Sequence, residues 1–238
     1  MAAPRRQTLA AMLATSALCL ATAARAQIGF SASLDSDYRF RGLSLSDGRP
    51  ALSLAIAYDH DSGAYAGVSA IGEETAHSGA RMLGFIEYAG YVGRSKTGPN
   101  WDVGVTNGTV TEYSYPTHNL NYTEVYVGLI MKGVSTHLYY SPNYFGGGVG
   151  TLYADLDGAF RPAPGWRLFG HVGVLTPLSG PSSPGRRNER YDLRAGVART
   201  FGAAELHLSW TDAAPAVVYP AEHVKTHGAV VLGAAYFF

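Results

Sequence analysis

Four ionisable side chains recur at every second position near the start of the chain: Asp35, Asp37, Arg39 and Arg41. Successive side chains of a β-strand point to opposite faces, so residues two apart share a face. On a strand, this block sets two carboxylates beside two guanidinium groups. In an enclosed space such a row either lines a constriction that polar solutes pass or pairs internally and plugs it. Asp37, Arg39 and Arg41 are its densest part and the first candidates for a constriction. Glu87, Glu124, Asp155, Asp157, Arg167 and Arg194 fall on the polar sides of similar segments and complete the candidate lining. Both signs recur throughout, which argues against strong selectivity for anions or cations.

Covalent catalysis needs a different set. A hydrolase requires a nucleophile oriented by a histidine and an acid, and the chain has no Gly-x-Ser-x-Gly elbow. His137, His171, His207 and His227 occupy polar faces of different segments, where hydrogen bonding to neighbours is the plainer role. No His, Cys and carboxylate cluster has metal-ligand spacing, and no cofactor is implied. Gly146-Gly147-Gly148-Val149-Gly150 lacks the Lys-Ser/Thr of a phosphate loop and reads as a flexible connection.

The elements that must position these residues begin after a leader. Arg5 and Arg6 precede an apolar run from Leu9 to Ala24, and Ala24-Arg25-Ala26 gives a small-x-small cleavage pattern before Gln27. Residues 1–26 are therefore expected to be a cleaved signal peptide, and residues 27–238 the folded part. Losing Arg5, Arg6 and Arg25 takes 18 basic residues to 15 against 18 acidic ones. That balance carries no nucleic-acid footprint. Cys19 leaves with the leader, so the exported chain has no disulfide available.

No run after the leader approaches the roughly 20 apolar residues of a membrane-spanning helix. Instead the period is two. Ile28, Phe30, Ala32, Leu34, Ser36, Tyr38 and Phe40 alternate with Gly29, Ser31, Ser33, Asp35, Asp37, Arg39 and Arg41. This predicts a first strand of fourteen residues from Ile28 to Arg41, long enough to cross a bilayer at a tilt. Leu52 to Asp59, Val125 to Lys132, Val134 to Ser141 and Leu206 to Thr211 alternate in the same way. Twelve such segments can be counted, four of them less regular, including Met82–Val92. Short turns such as Lys132-Gly133 and Phe201-Gly202-Ala203 alternate with longer connections such as Gly42–Pro50, Thr111–Asn121 and Ala213–Thr226.

An even number of strands, with short turns at one end and long loops at the other, predicts an all-β transmembrane up-and-down antiparallel barrel with periplasmic turns and extracellular loops. Backbone groups in hydrocarbon must all bond internally, and a closed sheet achieves this without helices. Lipid then meets the apolar face, and the charged face is enclosed. The chain ends on Val230, Leu232, Ala234, Tyr236 and Phe238, all on one face. Tyr236 and Phe238 resemble the signal read by the machinery that inserts outer-membrane barrels. Trp101, Trp166, Trp210 and Tyr236 fit interfacial aromatic girdles.

The blocks SDYRFRGLSLSDGRPAL (Ser36–Leu52), WDVGV (Trp101–Val105), NYTEVYVG (Asn121–Gly128) and YYSPNYFG (Tyr139–Gly146) resemble the TorF family of porins, a conserved hypothetical outer-membrane family (Gcw_chp-like). The resemblance spans essentially the whole exported chain. It departs at Gly67-Val68-Ser69-Ala70, where members often carry Trp, and at Leu43-Ser44-Leu45, where Ile-Ser-Gln is frequent. It implies a small porin-like barrel in the cell outer membrane. Passive diffusion of small polar solutes is the leading functional expectation. A plugged structural or adhesive barrel acting through Thr111–Asn121, with Tyr113, Tyr115 and Pro116, is the alternative. An outer-membrane hydrolase ranks third.

Overall fold

β-branched and aromatic residues alternating with small or polar ones suit a pleated sheet with two unlike faces. That pattern carries this chain through one closed sheet. The structure is a computed structural model that describes residues 27–75, 79–111, 120–146, 148–178, 189–214 and 228–238. The leader and the Tyr113–Pro116 loop lie outside the described residues. β1 (Gln27–Asp35) precedes two short strands, β2 (Arg39–Phe40) and β3 (Leu43–Ser44). Then come β4 (Ala51–Asp59), β5 (Ala64–Thr75), β6 (Gly79–Gly93), β7 (Asn100–Val110), β8 (Leu120–Met131) and β9 (Val134–Ser141). A 3-10 turn over Tyr144–Gly146 leads into β10 (Thr151–Phe160), β11 (Trp166–Pro177), β12 (Arg190–Phe201), β13 (Ala204–Ala213) and β14 (Ala229–Phe237).

β1 and β4 to β14 pair in chain order, each antiparallel to the next, and β14 pairs back onto β1 from Ser31↔Phe237 to Asp35↔Gly233. The result is the expected twelve-stranded barrel, closed and without an edge. One rim holds tight turns, such as Gly133 between β8 and β9 and Gly202 between β12 and β13, both at positive φ. The opposite rim carries the longer connections.

The outer face is apolar along most strands. Ile28, Phe30 and Leu34, Leu52 and Leu54, Val125 and Val127, and Leu206 and Leu208 are all exposed. In water such a band is an aggregation surface; against acyl chains it is the matching surface. Tyr58, Tyr91, Trp101, Trp166, Tyr236 and Phe238 are exposed near the turn rim, and Tyr140, Tyr191 and Trp210 towards the loop rim. Arg199 lies over Trp166 at 4.9 Å, its charge held at the girdle.

Two elements depart from simple alternation. β1 ends at Asp35, after nine residues rather than fourteen. The chain then turns into the barrel, where Arg41 (φ 47°) and Gly42 (φ 76°) bend it sharply into the β2–β3 hairpin, paired Arg39↔Ser44 and Phe40↔Leu43. Only a residue without Cβ fits at Gly42, because a Cβ there would stand 2.7 Å from the Cβ of Ala213. Tyr38 and Phe40, placed by the pattern on the lipid side, are buried inside.

The second departure is a bulge. Between β5 and β6 the register slips from Ile71↔Gly84 to Gly72↔Met82, which leaves Leu83 as an extra residue. One inserted residue reverses which side chains face outward. Met82 is exposed above the bulge, and Phe85 and Tyr91 below it. Glu87 shares the parity of Phe85 and Tyr91 and is also exposed, so it projects from the outer face. It does not line the interior.

Candidate functional site

The inward-facing side chains divide the interior into two parts. Towards the loop rim, Tyr38, Phe40, Leu45, Ile71, Leu83, Val110, Tyr122, Tyr144 and Phe145 form one buried cluster. Phe40 and Phe145 bring it together with Tyr122, their ring centroids 5.4 and 4.9 Å from it. Tyr144 and Phe145 come from the connection that reads as a flexible glycine loop in the sequence, yet both are almost fully buried.

Asp37 organises the inward-folded segment 36–50. Its carboxylate accepts from Arg39 Nε at 2.6 Å, from Ser44 Oγ at 2.5 Å and from Ser46 Oγ at 3.2 Å. Ser46 Oγ in turn accepts from the Tyr38 backbone N–H at 2.8 Å. Arg39 also donates to the Gly42 carbonyl at 3.0 Å. These bonds hold the segment in one shape through its own polar groups.

Arg41 ties that shape to the wall. Its guanidinium donates to both Glu124 oxygens, at 2.9 and 2.6 Å, and to Tyr144 Oη at 3.1 Å. It lies 3.7 Å over the Tyr153 ring. The geometry is bidentate and stacked, which suits arginine and not lysine. Burial disfavours charge on Arg41, but the Glu124 carboxylate more than offsets this, so the guanidinium pKa lies above its ordinary value. Glu73 makes a second anchor, accepting from Arg81 and from Arg49 at 3.4 Å.

Towards the turn rim the interior opens into a cavity of about 1110 Å³, bounded by Gln27, Gly202, Ala203 and Phe238 at the rim and by Asp37 to Gly42 at its inner end. Eight carboxylates line it (Asp35, Asp37, Asp59, Asp102, Glu124, Asp155, Asp192 and Glu205) against four arginines (Arg39, Arg41, Arg167 and Arg194). This excess of acid was not apparent from the balanced signs along the sequence.

Three histidines stand among these acids. His137 Nε2 lies 3.1 Å from Asp102, and its backbone N–H donates to Asp155 at 3.0 Å. His171 bridges Asp157 and Asp192, each at 2.9 Å, and Tyr153 Oη lies 3.1 Å from the same Asp192 oxygen. His207 Nε2 comes within 3.0 Å of Asp35 across β13, β14 and β1. Among the described residues no serine or threonine hydroxyl bonds to any of the three, and no group of three or more His, Cys, Asp or Glu is placed to hold a metal.

Of the candidate lining residues, Glu124, Asp155, Asp157, Arg167 and Arg194 face inward from the barrel wall, while Asp37, Arg39 and Arg41 reach the interior from the folded-in segment. Arg167 pairs with Glu205. Arg194 has no ion pair among the described residues and lies 5.0 Å from the Phe169 ring centroid. The candidate lining left out Tyr65, Tyr126 and Tyr153, which cross the interior, although alternation sets Tyr126 on the face of Glu124 and Tyr153 on that of Asp155. Tyr65 Oη meets both Asp102, at 2.6 Å, and Tyr126 Oη. Inward glycines were a further signal. At Gly104 a Cβ would overlap the Tyr126 ring, so the small residue opens the space in which the aromatic lies.

A closed antiparallel barrel, apolar outside, polar within and narrowed by an inward-folded loop, defines a membrane β-barrel of the outer-membrane type. The chain belongs to the family described as bacterial protein of unknown function (Gcw_chp), which matches residues 21–233. Its structure is similar to the KdgM porin in complex with disordered oligogalacturonate, at TM-score 0.50 and 10% identity over 89% of this chain and 98% of that one. It is also similar to the translocator domain of autotransporter NalP from Neisseria meningitidis, at TM-score 0.47 and 11% identity, covering 93% and 91% of the two chains. Identities this low speak to fold alone. No curated protein sequence matches the chain.

Proposed function

We propose that the chain is an outer-membrane porin through which small polar solutes diffuse passively, with segment 36–50 as its constriction. The observation that carries this reading is the polar cavity of about 1110 Å³ that ends at Asp37–Gly42. A barrel built only for stability would fill that space with side chains, as eight-stranded barrels do. The eight carboxylates against four arginines favour cations and neutral polar molecules over anions. The polyanion in the KdgM complex is therefore not carried over to this chain. Export through a signal peptide at residues 1–26 and insertion through Tyr236 and Phe238 complete the route to the membrane, and the TorF-family resemblance supports the same reading.

A second reading has its own support. Arg41 is fully engaged with Glu124, Tyr144 and Tyr153, which suits a closed plug as well as a constriction. Conductance in planar bilayers separates the two. The porin gives discrete ohmic steps, larger in Arg39→Ala, where the segment loses its bond to Asp37. Silence from correctly folded wild-type protein, with steps appearing only in Arg39→Ala, assigns the plug. Silence from both overturns the channel altogether.

A further inference from the structure

The outer face is not uniform. Around β11 to β14 it is built from residues such as Leu168, Leu193, Leu208 and Leu232, all exposed. Across β6, β7 and β8 a polar row interrupts it. Glu87 pairs in register with Asn107, and Asn107 with Thr123, so the three adjoin on neighbouring strands. Thr123 and Glu87 are exposed, and Ala89 beside Glu87 is small.

Glu87 stands four residues along β6 from Tyr91 in the turn-rim girdle. At about 3.3 Å per residue and a tilt of about 40°, that is roughly 10 Å above the girdle, near the middle of an apolar band about 25 Å tall. No ion pair or side-chain hydrogen bond holds the Glu87 carboxylate among the described residues. An ionisable group at that depth facing lipid is costly and calls for a partner.

Asn107 Nδ2 donates to Thr123 Oγ1 at 2.8 Å and to the Tyr122 carbonyl at 3.1 Å. Both its N–H groups are thus used inside the sheet. Among the described residues, Asn107 Oδ1 and the Thr123 hydroxyl proton have no hydrogen-bond partner. The row therefore presents a carboxyl on one strand, and an acceptor and a donor on the next two.

From this juxtaposition we propose that the β6–β8 face is an interface with a second copy of this chain, in which Glu87 of each copy bonds the Asn107–Thr123 pair of the other. Both copies sit in the membrane with the same end up, so their two-fold axis runs along the membrane normal. Rotation about that axis keeps depth and reverses lateral order, which brings β6 of one copy opposite β7 and β8 of its partner. Strands about 4.8 Å apart and tilted by about 40° rise about 3 Å per strand along the row, so Glu87 lies about 3 Å in depth from the partner's Asn107 and about 6 Å from the partner's Thr123, offsets that the glutamate and the two polar side chains span between them. Ala89 is small and leaves room beside Glu87 for the two walls to approach.

The test uses the full-length protein in native outer membranes. Val105→Cys places a thiol on the outer face of β7, one outward position from Asn107, in an exported chain expected to have no other cysteine. A short bis-maleimide is expected to give a species of twice the chain mass from Val105→Cys and none from Leu208→Cys on the far wall. Adding Glu87→Leu to Val105→Cys should reduce that product at least tenfold while heat-modifiable migration shows the barrel still folded. Glu87→Gln, which keeps a hydrogen-bonding group, should retain most of it. No product from Val105→Cys, equal products from both cysteine sites, a product joined to a different protein, or an undiminished product with Glu87→Leu would each overturn the proposal.

Discussion

The two ends of the barrel interior solve opposite problems with the same strands. Towards the loops, segment 36–50 and the Tyr144–Phe145 turn fill the space with aromatic rings, and Arg41 with Glu124 forms one buried ion pair between them and the wall. Towards the turns, carboxylates, histidines and tyrosines are spread round an open cavity. The first end has few ways to rearrange without exposing a charge to an apolar surrounding; the second can exchange hydrogen-bond partners with any polar occupant. Rigidity and permeability are thus separated along the barrel axis, and substitutions at each end should produce different kinds of change.

The largest effect is expected at the closed end. Glu124 is only 1% exposed, so Arg41→Ala leaves its charge buried without a partner. Breaking such a pair from one side costs about 3–5 kcal/mol. Urea unfolding of the barrel in lipid vesicles should register that loss, accompanied by new protease cleavage within residues 36–50. Replacing both partners removes the stranded charge, so Arg41→Ala with Glu124→Ala should be less destabilised than Arg41→Ala alone. Equal losses in the single and double variants would mean that the pair does not anchor the segment, and the contrast between the two ends would fail.

The next effect concerns inside against outside. Leu54 is exposed on the outer face of β4, and Ala55, its neighbour, lines the cavity. Leu54→Arg puts a cation against acyl chains and should cost roughly 2–4 kcal/mol near mid-bilayer. Ala55→Arg meets the acidic cavity and should cost clearly less in the same urea titration. Equal losses would reverse the assignment of the two faces.

That assignment was readable in the residues, because strict alternation at Ile28–Leu34, Leu52–Tyr58 and Val125–Met131 leaves one apolar face, and the order of short and long connections gives the closure. What alternation could not reveal were the places where the chain leaves the sheet or slips in it. Arg39 and Arg41 keep the period of two after the strand has ended, since β2 is itself extended and Gly42 reverses it only afterwards. Glu87 fits the polar set of Met82–Val92 only until Leu83 is counted as an extra residue. In both cases the pattern is local, while the outcome depends on pairing with strands distant in sequence.

The smallest predicted effect compares the two ends directly. Asp155 lines the cavity and accepts from the His137 backbone N–H at 3.0 Å, a bond that the amide oxygen of Asp155→Asn can keep. The substitution removes one negative charge, and with it the contact of Asp155 to His137 Nδ1 at 3.6 Å. A unit charge about 10 Å from a permeant ion in water contributes about 0.4 kcal/mol, a factor of about two. Cation entry weakens and anion entry eases by that factor each, so the cation-to-anion permeability ratio, read from reversal potentials across a KCl gradient in the wild-type or the Arg39→Ala channel, should fall about fourfold. Glu73→Gln removes a charge of the same sign at the closed end, where Arg81 and Arg49 already face it and the cavity does not reach. Its reversal potential should stay where it was. If Glu73→Gln moved the ratio as far as Asp155→Asn, the ion path past segment 36–50 would run beside Glu73, and the closed end would not shield that charge as Arg81 and Arg49 imply.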